Sequence, residues 1–258
     1  TLLSPGDPDQ RTGGYRYNAR IMAGLEALGD EVEVLALPGR WPLPSPEDAA
    51  RCAKLLDDIP VGSRVILDGL ALGGVIGVLP GLCMRAAVTL LLHSPPHLER
   101  GTPPAEAMRL YDITTRAVAV VHRVVATSPA AAAELRRLFP VTFVASVTPG
   151  CDRMPASVGA GTGRLLCVAT VTPRKGHRTL VRALAEIADV PWRLQCVGSL
   201  TRTPDHVAAL QADLAALGLS DRVDLIGERD GADLADCYRR ADVFVLPTWH
   251  ETFGMVFT

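Results

Sequence analysis

Leu165-Leu-Cys-Val-Ala169, Thr172-Pro-Arg-Lys-Gly-His177 and Arg193-Leu-Gln-Cys-Val-Gly198 decide the fold. The first and third are short apolar runs of strand length. Between them a turn carrying two cations opens a helix over His177–Ala188. The pattern then repeats: a helix over Pro204–Leu217 closed by Gly218, a strand over Val223–Ile226 ending at Gly227, a helix over Ala232–Arg239, and a strand over Val243–Leu246 ending at Pro247. Near-continuous apolar strands alternating with amphipathic helices predict a parallel sheet covered on both faces.

The same plan is visible upstream. Strands are expected at Thr1–Leu3, Val32–Leu37, Val65–Leu67, Ala86–Leu92 and Val124–Thr127. Helices are expected over Thr12–Leu28, Pro46–Ile59, Pro104–Val121 and from Ser128-Pro129 through Leu138. In the first helix Tyr17, Ile21, Leu25 and Leu28 fall at helical spacing, and Gly29 follows as a C-terminal cap. Ser128 as N-cap with Pro129 in the first turn is a start signal. Open parallel sheets take ligands at the carboxyl ends of their strands, which is where Asp68, His93 and Ser128 fall. Pro149-Gly150, Pro155 and Gly159–Gly163 interrupt the pattern as a linker. The expected organisation is therefore a Rossmann-like domain over 1–152, a linker over 153–163, and a second Rossmann-like domain over 164–258, the two facing a cleft.

Composition narrows the function. Of 258 residues 48% are hydrophobic, which excludes intrinsic disorder. Lys+Arg 26 against Asp+Glu 28 leaves a net charge of −2, which gives no electrostatic case for a nucleic-acid partner. No apolar stretch approaches the ~18–20 residues of a membrane span. The absence of a basic amphipathic helix gives no sign of a lipid surface, although peripheral contact stays open. Six cysteines form no CxxC pair, so a reducing cytoplasm, no disulfide framework and no zinc site are expected. Cys167 and Cys196 read as small buried hydrophobes.

Four segments suit chemistry. Gly13-Gly14 precedes the first helix, where backbone N–H groups can meet a phosphate, although the pair alone reads equally as a turn. Arg174 and Lys175 stand at a helix N-terminus, where cations are disfavoured unless an anion joins them; a solvated basic turn is the plain alternative. Glu251 ends the last strand beside aromatic residues. After it Gly254, with Met255 and Val256, is expected to open a helix whose N–H groups hold an anion. His93 follows the Ala86–Leu92 run, where a structural turn is the competing reading. Three further patterns are set aside. Asp7-Pro8-Asp9 is read as a turn rather than a DxD metal site. Gly159–Gly163 has no strand before it and is read as a hinge. His250-Glu251 lacks the HExxH frame of a metal pair.

Together these segments resemble glycosyltransferase family 4, the group 1 retaining glycosyltransferases of the GT-B fold. Leu246-Pro-Thr-Trp-His-Glu-Thr-Phe-Gly-Met-Val256 is similar to the start of the family's E-x7-E motif. Cys167–Gly176 resembles its phosphate strand and Lys-Gly turn, and Thr148-Pro-Gly-Cys-Asp152 the segment closing its first domain. Thr170 stands near where the family often has Arg, and Arg174 is taken to supply that charge. The second Glu would fall at position 259, past Thr258, so the chain reads as truncated, its second domain incomplete.

The resemblance implies transfer of a sugar from a nucleotide-diphosphate donor, a UDP- or GDP-sugar, to an acceptor hydroxyl. Configuration is retained and neither cofactor nor metal is required. It implies that Gly13, Gly14, Arg174, Lys175, Gly254, Met255 and Val256 bind the diphosphate. His93 and Glu251 contact the sugar as catalytic residues, while Gly198, Gly227 and Glu228 border the base. Acceptor choice would rest with Pro38–Pro46 and Pro95–Pro104. The alternatives are a non-catalytic nucleotide-sugar-binding remnant and another GT-B enzyme such as a sugar-nucleotide epimerase.

Overall fold

The computed structural model describes residues 1–154, 156–159 and 161–258, so Pro155 and Ala160 of the expected linker lie outside the described residues. The chain divides into two compact units. The first comprises Thr1–Gly150 with Thr252–Met255, and the second comprises Cys151–Glu251 with Val256–Thr258.

The first unit runs β1 (Leu2–Pro5), α1 (Gly13–Ala27), β2 (Val34–Leu37), α2 (Pro46–Asp57), β3 (Arg64–Asp68), α3 (Leu72–Val75), α4 (Leu79–Arg85), β4 (Ala87–Leu92), α5 (Pro104–Val118), β5 (Arg123–Ala126), α6 (Pro129–Leu138) and β6 (Ala145–Ser146). Its sheet has the order β2-β1-β3-β4-β5-β6 with every pairing parallel. The order reverses between β1 and β3. The connections leaving those two strands diverge there and open a crevice at the carboxyl edge. Leu3, Leu67, Val88, Leu90, Leu92 and Val124 fill the core beneath it.

The second unit runs β7 (Arg164–Val168), α7 (His177–Ala185), β8 (Arg193–Val197), α8 (Pro204–Ala216), β9 (Val223–Leu225), α9 (Gly231–Arg240) and β10 (Val243–Phe244). Its sheet is parallel in the order β10-β7-β8-β9, so its switch point lies between β7 and β10. One face packs Cys167, Val181, Leu194, Cys196 and Leu210, the other Leu166, Val168, Val197 and Leu234. Burial on both faces explains why these strands read as unbroken apolar runs.

Three expectations need correction. The buried face of α1 is Tyr15, Tyr17, Asn18 and Met22 rather than the Tyr17–Leu28 stripe, and Leu28 is 83% exposed. Hydrogen bonding rotates the face: Tyr15 donates to the Pro5 carbonyl at 2.5 Å and Tyr17 to the Val147 carbonyl at 2.9 Å. Helices α3 and α4 were not foreseen, because a Leu-Gly-Gly-Val run has poor helical propensity. The glycines of α3 serve packing, since a Cβ on Gly73 would lie 2.2 Å from the Pro42 carbonyl oxygen. Finally, Gly254 opens only a 3-10 turn over Met255–Phe257 in place of the expected helix.

The patterns set aside also have their places. Asp7 accepts the Asp9 N–H at 2.9 Å, a side-chain turn. The Asp242 carboxylate accepts the N–H groups of Gly161, Thr162 and Arg164, so a protein anion already fills that glycine-rich nest. All six cysteines are free thiols.

Candidate active site

The candidate residues fall into two groups, one in each unit. In the first unit, Gly13 and Gly14 open the first turn of α1, after the loop of residues 6–12 that follows β1. Thr12, the N-cap, makes no side-chain cap bond, so the amides there are not claimed by that side chain. Gly14 lies close to His93: a Cβ there would stand 3.3 Å from His93 Cδ2, tighter than an ordinary contact. His93 follows β4, next to β3. Its Nε2 lies 2.9 Å from Asn18 Oδ1 and 3.5 Å from Asp68 Oδ2. Asn18 in turn donates from Nδ2 to Asp68 Oδ2 at 2.7 Å. Asp68 was legible as a residue of the ligand edge, but Asn18 was missed. It is a polar residue on the buried face of a helix, which apolar spacing does not mark.

Gly254 and Met255 belong to the first unit, and Met255 Sδ lies 3.6 Å from where a Cβ on Gly13 would stand. Ser128 caps α6 as expected, its Oγ accepting the Ala131 N–H at 2.9 Å. The same hydroxyl donates to the Thr252 carbonyl at 2.5 Å.

In the second unit the switch point brings the other group together. Pro173–Lys175 forms a 3-10 turn after β7, and Gly176, at φ +75°, hands the chain to α7. A Cβ on Gly176 would meet the Pro247 carbonyl oxygen at 2.1 Å, so only glycine lets this turn sit against the end of β10. Trp249 N–H donates to the Arg174 carbonyl at 2.9 Å, and Arg174 Nη1 donates to the His250 carbonyl at 2.8 Å. Lys175 Nζ donates to Glu251 Oε2 at 2.5 Å, with Arg174 Nη1 4.0 Å from the same oxygen. Two cations at a helix N-terminus are thus balanced by a protein carboxylate, a pairing across 76 residues that spacing alone does not reveal. Val256 belongs to this unit and accepts the Tyr238 hydroxyl at 2.7 Å; burial pushes that phenol up.

Gly198 and Gly227 also meet: Gly198 N–H donates to the Gly227 carbonyl at 2.9 Å, at the adjoining ends of β8 and β9. Glu228 follows, its carbonyl accepting from Arg229 Nη1 at 2.8 Å. His177 belongs to the support. It is 1% exposed, with Nε2 3.6 Å from Cys167 Sγ. Cys167 and Cys196 are register partners on β7 and β8. Hydrogen bonding from the Cys196 thiol draws Cys167 down to about 5 against the cost of burial, with His177 acting in the same direction, and Cys196 is pushed up.

Two parallel sheets, each with polar side chains at its switch point, define a doubly wound α/β protein. The chain has the GT-B fold. It matches sucrose-phosphate synthase from Thermosynechococcus elongatus with a TM-score of 0.75 at 20% identity, over 99% of this chain and 76% of that one. It matches Anabaena HepE in complex with UDP and glucose with a TM-score of 0.69 at 17% identity, over 99% and 76%.

Residues 162–258 match the model of the family described as glycosyl transferases group 1. Over 160 residues the chain is 36% identical to a D-inositol 3-phosphate glycosyltransferase of Streptosporangium roseum, covering 54% of this chain and 37% of that relative's length. Among the described residues no helix is long and apolar enough to cross a membrane.

Proposed function

We propose that this chain transfers a sugar from a nucleoside diphosphate donor to an acceptor hydroxyl with retention of configuration. The observation that carries the reading is the Arg174–Lys175 turn with Glu251 opposite it, at the switch point of the unit that matches the family. Negative charge grows on the diphosphate as the glycosidic bond breaks. Arg174 and Lys175 meet that charge more strongly in the transition state than in the ground state. Lys175 exchanges Glu251 for a diphosphate oxygen, and the released carboxylate turns to a sugar hydroxyl. His93 is read as a contact to the sugar. Gly198, Gly227 and Glu228 border the base. UDP in the HepE structure makes a uridine donor the first to try, with a GDP-sugar second.

The test is turnover of UDP-glucose and of a GDP-sugar by the expressed chain, with and without hydroxyl acceptors. Lys175→Ala is expected to lower kcat/KM by about 10²–10³-fold, the scale of losing one charge-stabilising donor. An unchanged kcat/KM removes the diphosphate role. Conversion of the donor to an isomer without acceptor replaces transfer by epimerisation.

A further inference from the structure

Asn18 on α1, Asp68 at the end of β3 and His93 after β4 form one chain of hydrogen bonds at the first switch point. We propose that Asp68, acting through Asn18, sets the tautomer of His93, with the ring proton on Nε2 and the lone pair on Nδ1. Asn18 and Asp68 are then positioning residues that no motif marks.

Asp68 is 4% exposed, and its Oδ1 accepts the Leu70 N–H at 2.8 Å. Its Oδ2 lies 2.7 Å from the Asn18 amide. A carboxylate only accepts, so Asn18 must turn its NH2 toward Asp68 and its oxygen toward His93. That oxygen is 2.9 Å from His93 Nε2, and Asp68 Oδ2 is 3.5 Å from the same nitrogen. Both atoms facing Nε2 are acceptors. Nε2 therefore carries the proton, and the neutral ring keeps Nδ1 as its acceptor. Tyr17 holds the ring edge-on, with centroids 5.3 Å apart and planes at 83°. Reversing Asn18 would leave two donors, or two acceptors, face to face in a buried site, an expensive mismatch. If His93 faces the donor sugar, as the reading above has it, any group that meets Nδ1 must donate a hydrogen bond. A hydroxyl satisfies this and a carboxylate does not.

The test is a side-chain proton–nitrogen correlation spectrum of the expressed chain at about pH 8.5, above the ordinary imidazole value of about 6.5. His93 signals are identified by their loss in His93→Gln. The native ring is expected to be protonated on Nε2 alone. In Asp68→Asn the Leu70 N–H keeps an amide oxygen toward itself. The new NH2 then faces Asn18, which turns over and presents its own NH2 to Nε2. The ring proton is expected to move to Nδ1, with kcat lowered about 10-fold and nucleotide Kd unchanged. Native protonation on Nδ1, or a folded Asp68→Asn protein that keeps Nε2 protonated, overturns the proposal. Should Asp68→Asn fail to fold, the native spectrum decides alone. Unaltered turnover in His93→Gln would remove His93 from the donor site while leaving the tautomer to the spectrum.

Discussion

Each unit has a switch point in a parallel sheet, and the two differ in chemistry. In the first unit two strand-end side chains and one from α1 form a relay of hydrogen bonds around one carboxylate, Asp68 to Asn18 to His93. In the second unit they form an ion pair, Lys175 with Glu251, backed by Arg174 on the His250 carbonyl. The first arrangement fixes orientation and proton position. The second gathers two cations around one carboxylate, a local excess of positive charge. A parallel sheet supplies the crevice in each case, and loop residues decide what it can bind.

Breaking the comparison begins with the cores that hold the two edges. Leu90 and Leu194 are fully buried, one in each unit. Leu90→Ala and Leu194→Ala are each expected to cost about 2–5 kcal/mol. Hydrogen exchange followed strand by strand should lose protection mainly in the unit that carries the substitution. Equal loss across both sheets would show that the edges do not rest on separate cores.

Glu251→Gln sharpens the contrast at the ion pair. Lys175 is then no longer held by a carboxylate, so UDP is expected to bind up to about fivefold more tightly, on the scale of about 1 kcal/mol for a partly exposed pair. Sugar transfer should fall in the same variant. Calorimetry that finds weaker UDP binding would mean that Glu251 aligns Lys175 for the diphosphate rather than competing with it. Of comparable size, Ser128→Ala removes the α6 cap in the first unit and is expected to cost about 1 kcal/mol in urea unfolding. No change in midpoint would show that the Ala131 N–H finds another acceptor.

The smallest effect concerns charge on the second unit's helices. Hydrogen bonding to Arg178 holds Asp213 below the ordinary carboxylate value, with Arg182 adding to it. A lowered folded value means that the Asp213 contribution is present above the unfolded carboxylate range, near 3.9, and is lost as pH falls through the lower folded value. Asp213→Asn should therefore flatten the urea-midpoint profile below about pH 4. An unchanged acid limb would assign the pH dependence elsewhere.

Much of this fold was legible because both faces of each sheet are covered, which turns strands into apolar runs and helices into spaced stripes. Gly29, Ser128-Pro129 and Gly218 marked helix ends for local reasons, and each stands where its chemistry requires. What escaped were features made by tertiary contact. The glycines of α3 serve the Trp41–Pro44 loop packed on them, a contact that no local pattern records. Asn18 is buried for a hydrogen bond rather than for hydrophobicity. Arg174, Lys175 and Glu251 were each visible as chemistry, and their mutual pairing came from the neighbouring positions of β7 and β10. The turn over Met255–Phe257 was expected as a helix because Gly254 reads as a start signal by itself.

The most direct test of the contrast is UDP binding by calorimetry at low and moderate salt for the native chain, Lys175→Ala and His93→Ala. The charge-storing edge predicts a large loss of affinity and of salt dependence in Lys175→Ala, with His93→Ala binding UDP as the native chain does. Equal losses in the two variants, or native affinity in Lys175→Ala, would contradict it.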